Sequence, residues 1–169
     1  QLEHAVGRLA TGLAARFRPG SRVLFVMRNS AAFLIAQIAC ERAGVVRIAL
    51  NSKSTAADAA DAVARFEPVL ILTDESGASK FTEITPDCPL CFVDATHEGQ
   101  IAWDELAAAS AASLPAIAAT SLCSINLTSG SSGSPKGAMM SFGAWWHVYR
   151  NMLIDRDIRD GDVFLHVGP

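Results

Sequence analysis

Aromatic residues make up only 7% of the sequence, with a single tyrosine, whereas alanine is abundant. So few large flat side chains argue against a β-sandwich and for closely packed helices. Cysteine is scarce: Cys40, Cys88, Cys91 and Cys123 are too few in 169 residues for a disulfide scaffold and read as free thiols. Positive charge is not in excess, and a formal net charge of −3 lacks the basic face of a nucleic-acid binder. No apolar run is long enough to cross a bilayer, and no cationic stretch leads into an apolar core with a cleavage site. The cytoplasm is therefore the expected location.

What is present is enough for one well-filled core, since half of the residues are hydrophobic. The chain opens at Gln1 without methionine and stops at Gly168-Pro169 after a strand-like run, so it reads as an excised piece. Leu2, Val6, Leu9, Leu13 and Phe17 recur at helical spacing, and Pro19-Gly20 ends that helix. Strand-type runs follow at Val23 to Met27, Val45 to Leu50, Val69 to Thr73, Leu90 to Val93 and Leu122 to Leu127. Between them, helices are expected over Ala31 to Ala43, capped by Asn29-Ser30 and stopped by Gly44, and from about Thr55 to Phe66. A further helix is expected between Trp103 and Pro115, then a short run Ala138 to Met140, a helix from Phe142 to Ile154, and a strand Val163 to Val167. This alternation predicts an α/β fold: a mainly parallel β-sheet flanked by helices on both faces, with ligands gathering beyond the carboxyl ends of the strands.

One segment concentrates chemistry. Thr128, Ser129, Gly130, Ser131, Ser132, Gly133, Ser134, Pro135, Lys136 and Gly137 follow an apolar strand. Glycine lets consecutive backbone N–H groups turn inward as an anion nest and lets phosphate oxygens approach closely. The hydroxyls add donors, and the ammonium group of Lys136 can follow the charge of a triphosphate or a departing pyrophosphate. No Asp or Glu stands between Glu105 and Asp155, where about five would be expected at the chain's average acid content. A bare Ser/Gly turn would explain the composition but not the placement of proline and lysine. A Walker A loop fails, because Pro135 occupies its second glycine position and Gly137 follows the lysine. A serine-lysine amidase, with a nucleophile in the Ser131 to Ser134 run, does not call for the Pro-Lys-Gly tail.

Leu127 to Gly137, reading L-T-S-G-S-S-G-S-P-K-G, resembles the phosphate-binding signature of the adenylate-forming superfamily, acyl-CoA synthetases included. Pro19 to Val23 with Asn29-Ser30, Ala43-Gly44-Val45-Val46 through Leu50-Asn51, and Phe164 to Pro169 resemble further stretches of that family in the same order. Two positions depart from it: Ser131-Ser132 stands where the family usually has Thr-Thr, and Phe142 where it often has histidine. The resemblance implies that residues 1–169 are a partial N-terminal AMP-binding domain, with the rest of that domain and the C-terminal domain absent. It implies ATP, Mg2+ and coenzyme A as cofactors, and activation of a carboxylic, fatty-acid-type substrate as acyl-adenylate before transfer to the thiol of coenzyme A. Alternatives are an adenylation domain loading a carrier protein and a non-catalytic nucleotide-binding module. No catalytic residue and no metal ligand is expected within the chain, the piece alone is expected to be inactive, and its open sheet edge is expected to drive self-association.

Other residues invite weaker readings. Cys88-Pro89-Leu90-Cys91 has redox or half-zinc spacing without a second pair, so Cys91 is read as part of a buried strand. Trp145, Tyr149 and Met152 share one face of the last helix, with Trp146 and Leu153 near another; this two-sided helix, which carries His147, is read as core, with a wall of an acyl pocket as the alternative. His166 is read as a packed histidine, and Asp155, Asp157, Asp160 and Asp162 with Arg156 and Arg159 as a solvated turn.

Overall fold

A computed structural model describes residues 1–51, 53–108, 113–128 and 136–163. Its helices are α1 (Leu2–Arg16), α2 (Ala31–Ala43), α3 (Ala56–Phe66), α4 (Glu75–Ala78), α5 (Trp103–Ala107) and α6 (Phe142–Asp155). Its strands are β1 (Arg22–Val26), β2 (Val46–Ala49), β3 (Leu70–Thr73), β4 (Leu90–Phe92), β5 (Ile101–Ala102), β6 (Leu122–Thr128) and β7 (Lys136–Ser141). Among the described residues the strands form a single sheet in the order β5-β4-β3-β1-β2-β6-β7. β1 to β6 run parallel and β7 returns antiparallel to β6. The expected mainly parallel sheet is present.

Alternate strand residues feed two cores, one on each face of the sheet. Val23, Phe25, Leu70 and Leu72 pack with Leu9 and Leu13 of α1 and Ala36 and Cys40 of α2. Leu24, Val26, Ile48 and Ile71 pack with Ala59 and Ala62 of α3 on the other face. Both faces of the central strands are therefore apolar, which is why these strands read as unbroken hydrophobic runs. Small residues bring the helices close: a Cβ added at Gly12 of α1 would lie 1.7 Å from the backbone oxygen of Leu106 in α5.

The helix boundaries follow from capping. The Ser30 hydroxyl accepts from the Phe33 N–H, and Gly44 closes α2 in the left-handed region at φ 70°. Thr55 and Asp58 form a reciprocal capping box at α3. Asp74 caps α4 by accepting from the Gly77 N–H. The helix α4, the following 3-10 turn Ser79–Phe81 and the two-residue β5 are absent from the sequence expectation. β7 is longer than the expected run, starting at Lys136 instead of Ala138.

The reading of α6 as a core helix is corrected: none of its residues is buried, and Trp146, Leu153 and Ile154 are more than half exposed. Its seat is polar instead. The Trp145 indole N–H donates to the Ser124 hydroxyl of β6 at 2.9 Å, and the Trp145 and Tyr149 rings stack 5.4 Å apart. Gln37 of α2 and the buried Arg47 of β2 lie close to both Glu41 and Tyr149. Burial pushes the Glu41 carboxyl and the Tyr149 hydroxyl up from their ordinary values.

The expected strand Val163 to Val167 and His166 lie outside the described residues, apart from the exposed Val163. The acidic turn is solvated as expected, with Arg159 paired to Asp157 and all of Asp155 to Asp162 exposed. Cys91 sits buried in β4, where burial pushes its thiol up to about 12, and Cys88 is a half-buried free thiol. Among the described residues no group of three or more His, Cys, Asp or Glu could hold a metal, and no helix is long and apolar enough to cross a membrane.

Candidate phosphate-binding site

The chain leaves β1 for α2 on one face of the sheet and leaves β2 for α3 on the other. Beyond the carboxyl ends of β1 and β2 the connections diverge, which is where parallel sheets open a crevice. A cavity of about 470 Å³ lies there, lined among others by Met27, Asn29, Phe33, Leu50, Asn51 and Leu127. Leu127 is the penultimate residue of β6, so the cavity reaches the strand from which the Ser/Gly-rich segment departs.

That segment joins the antiparallel strands β6 and β7. Leu127 pairs with Gly137 and Thr128 with Lys136, which closes the loop at its base and starts it at the same edge of the sheet as the cavity. Residues 129–135, namely Ser129, Gly130, Ser131, Ser132, Gly133, Ser134 and Pro135, lie outside the described residues. Of the ten sequence candidates, the backbone of Thr128 and all of Lys136 and Gly137 are described. Lys136 is exposed at the first position of β7. Gly137 has a packing reason to lack a side chain: a Cβ there would lie 2.6 Å from the Ile125 Cγ2 and 3.5 Å from the Phe66 ring.

A second charged group at this edge was not singled out by the sequence. β1 and β3 pair in register through Val26 and Thr73, so the residues just beyond them meet. Asp74 Oδ2 accepts from both the backbone N–H and the Nε of Arg28, each at 3.0 Å, while Oδ1 accepts from the Gly77 N–H at 2.7 Å. Asp74 is 5% exposed. Burial pushes its carboxyl up, but the N–H groups of Arg28 and Gly77 and the guanidinium outweigh that and hold it below the usual value. Aspartate three residues before Gly77 is an N-cap pattern, the one signal by which the sequence could have disclosed it.

A pH dependence follows. A depressed folded-state pKa contributes stability that is complete above the unfolded value of about 3.9 and is lost as pH falls through the folded value. Asp74→Asn is expected to cost about 1–3 kcal/mol at neutral pH and to flatten the stability profile below about pH 4. Urea melts of both proteins from pH 7 to pH 2 measure this, and parallel profiles would overturn it.

The family model of AMP-binding enzymes matches residues 1–169, and the chain belongs to that family. It is 32% identical to a feruloyl-CoA synthase from Amycolatopsis sp., with all of this chain aligned to 33% of that protein. Among solved structures, an acyl-CoA synthetase from Brucella canis superimposes with a TM-score of 0.82 at 19% identity, over 99% of this chain and 32% of that one. An o-succinylbenzoate CoA synthetase from Bacillus subtilis, in complex with its acyl-adenylate intermediate, gives 0.75 at 25% identity over 95% and 32%. The chain spans about a third of the length of the feruloyl-CoA synthases it matches.

Proposed function

We propose that this chain is the nucleotide-phosphate-binding portion of an ATP-dependent acid–thiol ligase. In that reaction a substrate carboxylate oxygen attacks the α-phosphorus of ATP, pyrophosphate leaves, and the thiol sulfur of coenzyme A then takes the acyl group and releases AMP. The observation that carries the reading is the L-T-S-G-S-S-G-S-P-K-G segment, set on the β6–β7 hairpin at the crevice edge of a chain belonging to the AMP-binding enzyme family. The hairpin's role is to orient the β- and γ-phosphates and to offset charge on the departing pyrophosphate, with Lys136 as its cation. Residues Thr128 to Gly137 supply no nucleophile in this scheme.

Magnesium keeps most of its waters and is commonly held by one or two protein oxygens together with substrate phosphates. A hairpin carrying hydroxyls and no carboxylate fits an ion that arrives with the triphosphate. The names of the relatives support coenzyme A as acceptor and an aromatic or fatty acid as substrate. One curated relative, a nonribosomal peptide synthetase from Lecanicillium sp. at 30% identity over 85% of this chain, supports the second reading, in which the acyl group is loaded onto a carrier protein.

The test is ATP–pyrophosphate exchange by the intact protein with fatty and hydroxycinnamic acids, followed by thioester formation with coenzyme A or a carrier protein. Acid-dependent exchange is expected; none with any acid would remove the proposal. The 169-residue chain alone is expected to give no exchange and to scatter light as a species larger than a monomer. Its outer strand β7 and the uncovered apolar side chains of α6 support that association. Turnover or a strictly monomeric chain at high concentration would refute the corresponding half of this expectation.

A further inference from the structure

The strand that carries Lys136 lacks the usual means of fixing its register. β7 is the outermost strand, with β6 as its sole partner among the described residues. None of its six residues is buried, so no core face dictates which way its side chains point. A two-residue turn would impose a register, but β6 and β7 are joined by residues 129–135. The ladder is also irregular: Leu122 pairs with Ser141 and Ser124 with Met140, which leaves Cys123 as an extra residue on β6. A ladder that takes up one extra residue at one point can take it up at another.

Register decides where the hairpin's cation goes. The Cα–H side of Gly137 that lacks a Cβ faces Ile125 and Phe66, on the α3 face of the sheet. By alternation along the strand Lys136 leaves on the opposite face, and a slip of one residue would turn it to the α3 face. Two features oppose that slip. At the start of β7, a side chain in place of Gly137 would meet Ile125 Cγ2 at 2.6 Å. At its end, Ser141 is both the last residue of β7 and the N-cap of α6, and Trp145 in the first turn of α6 reaches back to β6. There its indole N–H donates to the hydroxyl of Ser124, a buried residue that adjoins the extra Cys123 and pairs on its other side with Arg47 of β2. Backbone bonds from Phe142 to Ser121 and from Gly143 to Ala119 hold the same exit, but they join it to the turn before β6 and not to the sheet.

We infer that Trp145, through Ser124, is a positioning residue: it pins the register of β7 against β6 and thereby sets the face on which Lys136 meets the triphosphate. The consequence for Lys136 rests on the proposed acid–thiol ligase reading, whereas the register does not.

Two readouts on the intact protein test it. Cysteines introduced at Asn126 and Ala138, which face each other across the ladder, report the register by oxidative crosslinking, read as the yield of the joined peptides by mass spectrometry. With Trp145→Phe or Ser124→Ala the yield is expected to fall by about three- to tenfold, the population shift that one hydrogen bond carries, because a slipped strand puts the two side chains on opposite faces. ATP–pyrophosphate exchange, measured without the added cysteines, is expected to fall by about the same factor in kcat with little change in the KM for ATP. The double variant is expected to be no slower than either single one. In a Lys136→Ala background Trp145→Phe is expected to cause no further loss, whereas a general weakening of the fold would lower both backgrounds alike. Unchanged crosslinking or unchanged exchange in both variants, or an equal loss with and without Lys136, overturns the inference and leaves the ligase reading standing. A wild type without exchange removes the ligase reading, and crosslinking then decides the register alone. Should Trp145→Phe fail to fold, Ser124→Ala decides in its place.

Discussion

Replacing Lys136 with alanine in the intact protein is expected to lower ATP–pyrophosphate exchange by about a hundredfold or more. Lys136 stands at the first position of β7, paired through its backbone with Thr128, and its side chain is exposed. The backbone pairing does not depend on the side chain, so the hairpin base is preserved in the variant. What is lost is a cation next to the place where charge accumulates as pyrophosphate departs. Such charge is greater in the transition state than in bound ATP, so the loss is expected chiefly in kcat, with a smaller change in the KM for ATP. Exchange assays at saturating and limiting ATP separate the two. A variant within about threefold of wild type in kcat would detach Lys136 from catalysis and leave the hairpin a binding element only.

The second large effect is on stability. Gly77→Ala is expected to cost more than about 3 kcal/mol, at the upper end of overpacking penalties. A Cβ at this position would lie 1.6 Å from the backbone oxygen of Val26 and 2.5 Å from the Thr73 hydroxyl. Val26 belongs to the central strand, where the backbone cannot give way cheaply, and the Thr73 hydroxyl already donates to that same oxygen at 2.8 Å. The start of α4 would have to lift, taking with it the Gly77 N–H that anchors Asp74. Gly7→Ala is the control: nothing stands within 4 Å of its added Cβ, and alanine in an exposed helix is favourable by up to about 1 kcal/mol. Urea denaturation of both variants gives the comparison, and similar midpoints would disprove the packing argument.

Local chemistry explains what the sequence disclosed. Ser30 and Gly44 bracket α2 because each satisfies a local backbone requirement, so a few neighbouring residues suffice to place it. The same holds for Thr55 at α3. β5 was missed because two residues carry no periodicity, and α4 because one turn is shorter than any helical repeat. α6 shows a different limit. Its apolar residues were correctly placed on a helix, but the pattern does not say what covers them, and here the helix rests on the Trp145–Ser124 hydrogen bond, with Tyr149 stacked on the Trp145 ring. Of the candidate site, the Ser/Gly-rich segment was legible because its residue types are contiguous. Arg28 and Asp74 were not, since parallel pairing of β1 with β3 brings together residues far apart in sequence.

The order of the sheet also bears on how the chain is made. β1 pairs with β2 and then with β3 as these leave the ribosome, but the outer side of β2 has no partner until Leu122–Thr128 has been synthesised. At about 5–20 residues per second this leaves a bare row of amides and carbonyls for a period on the order of several seconds. During that interval Val46 to Ala49 is open to pairing with another nascent chain, and the late arrival of β6 shields it.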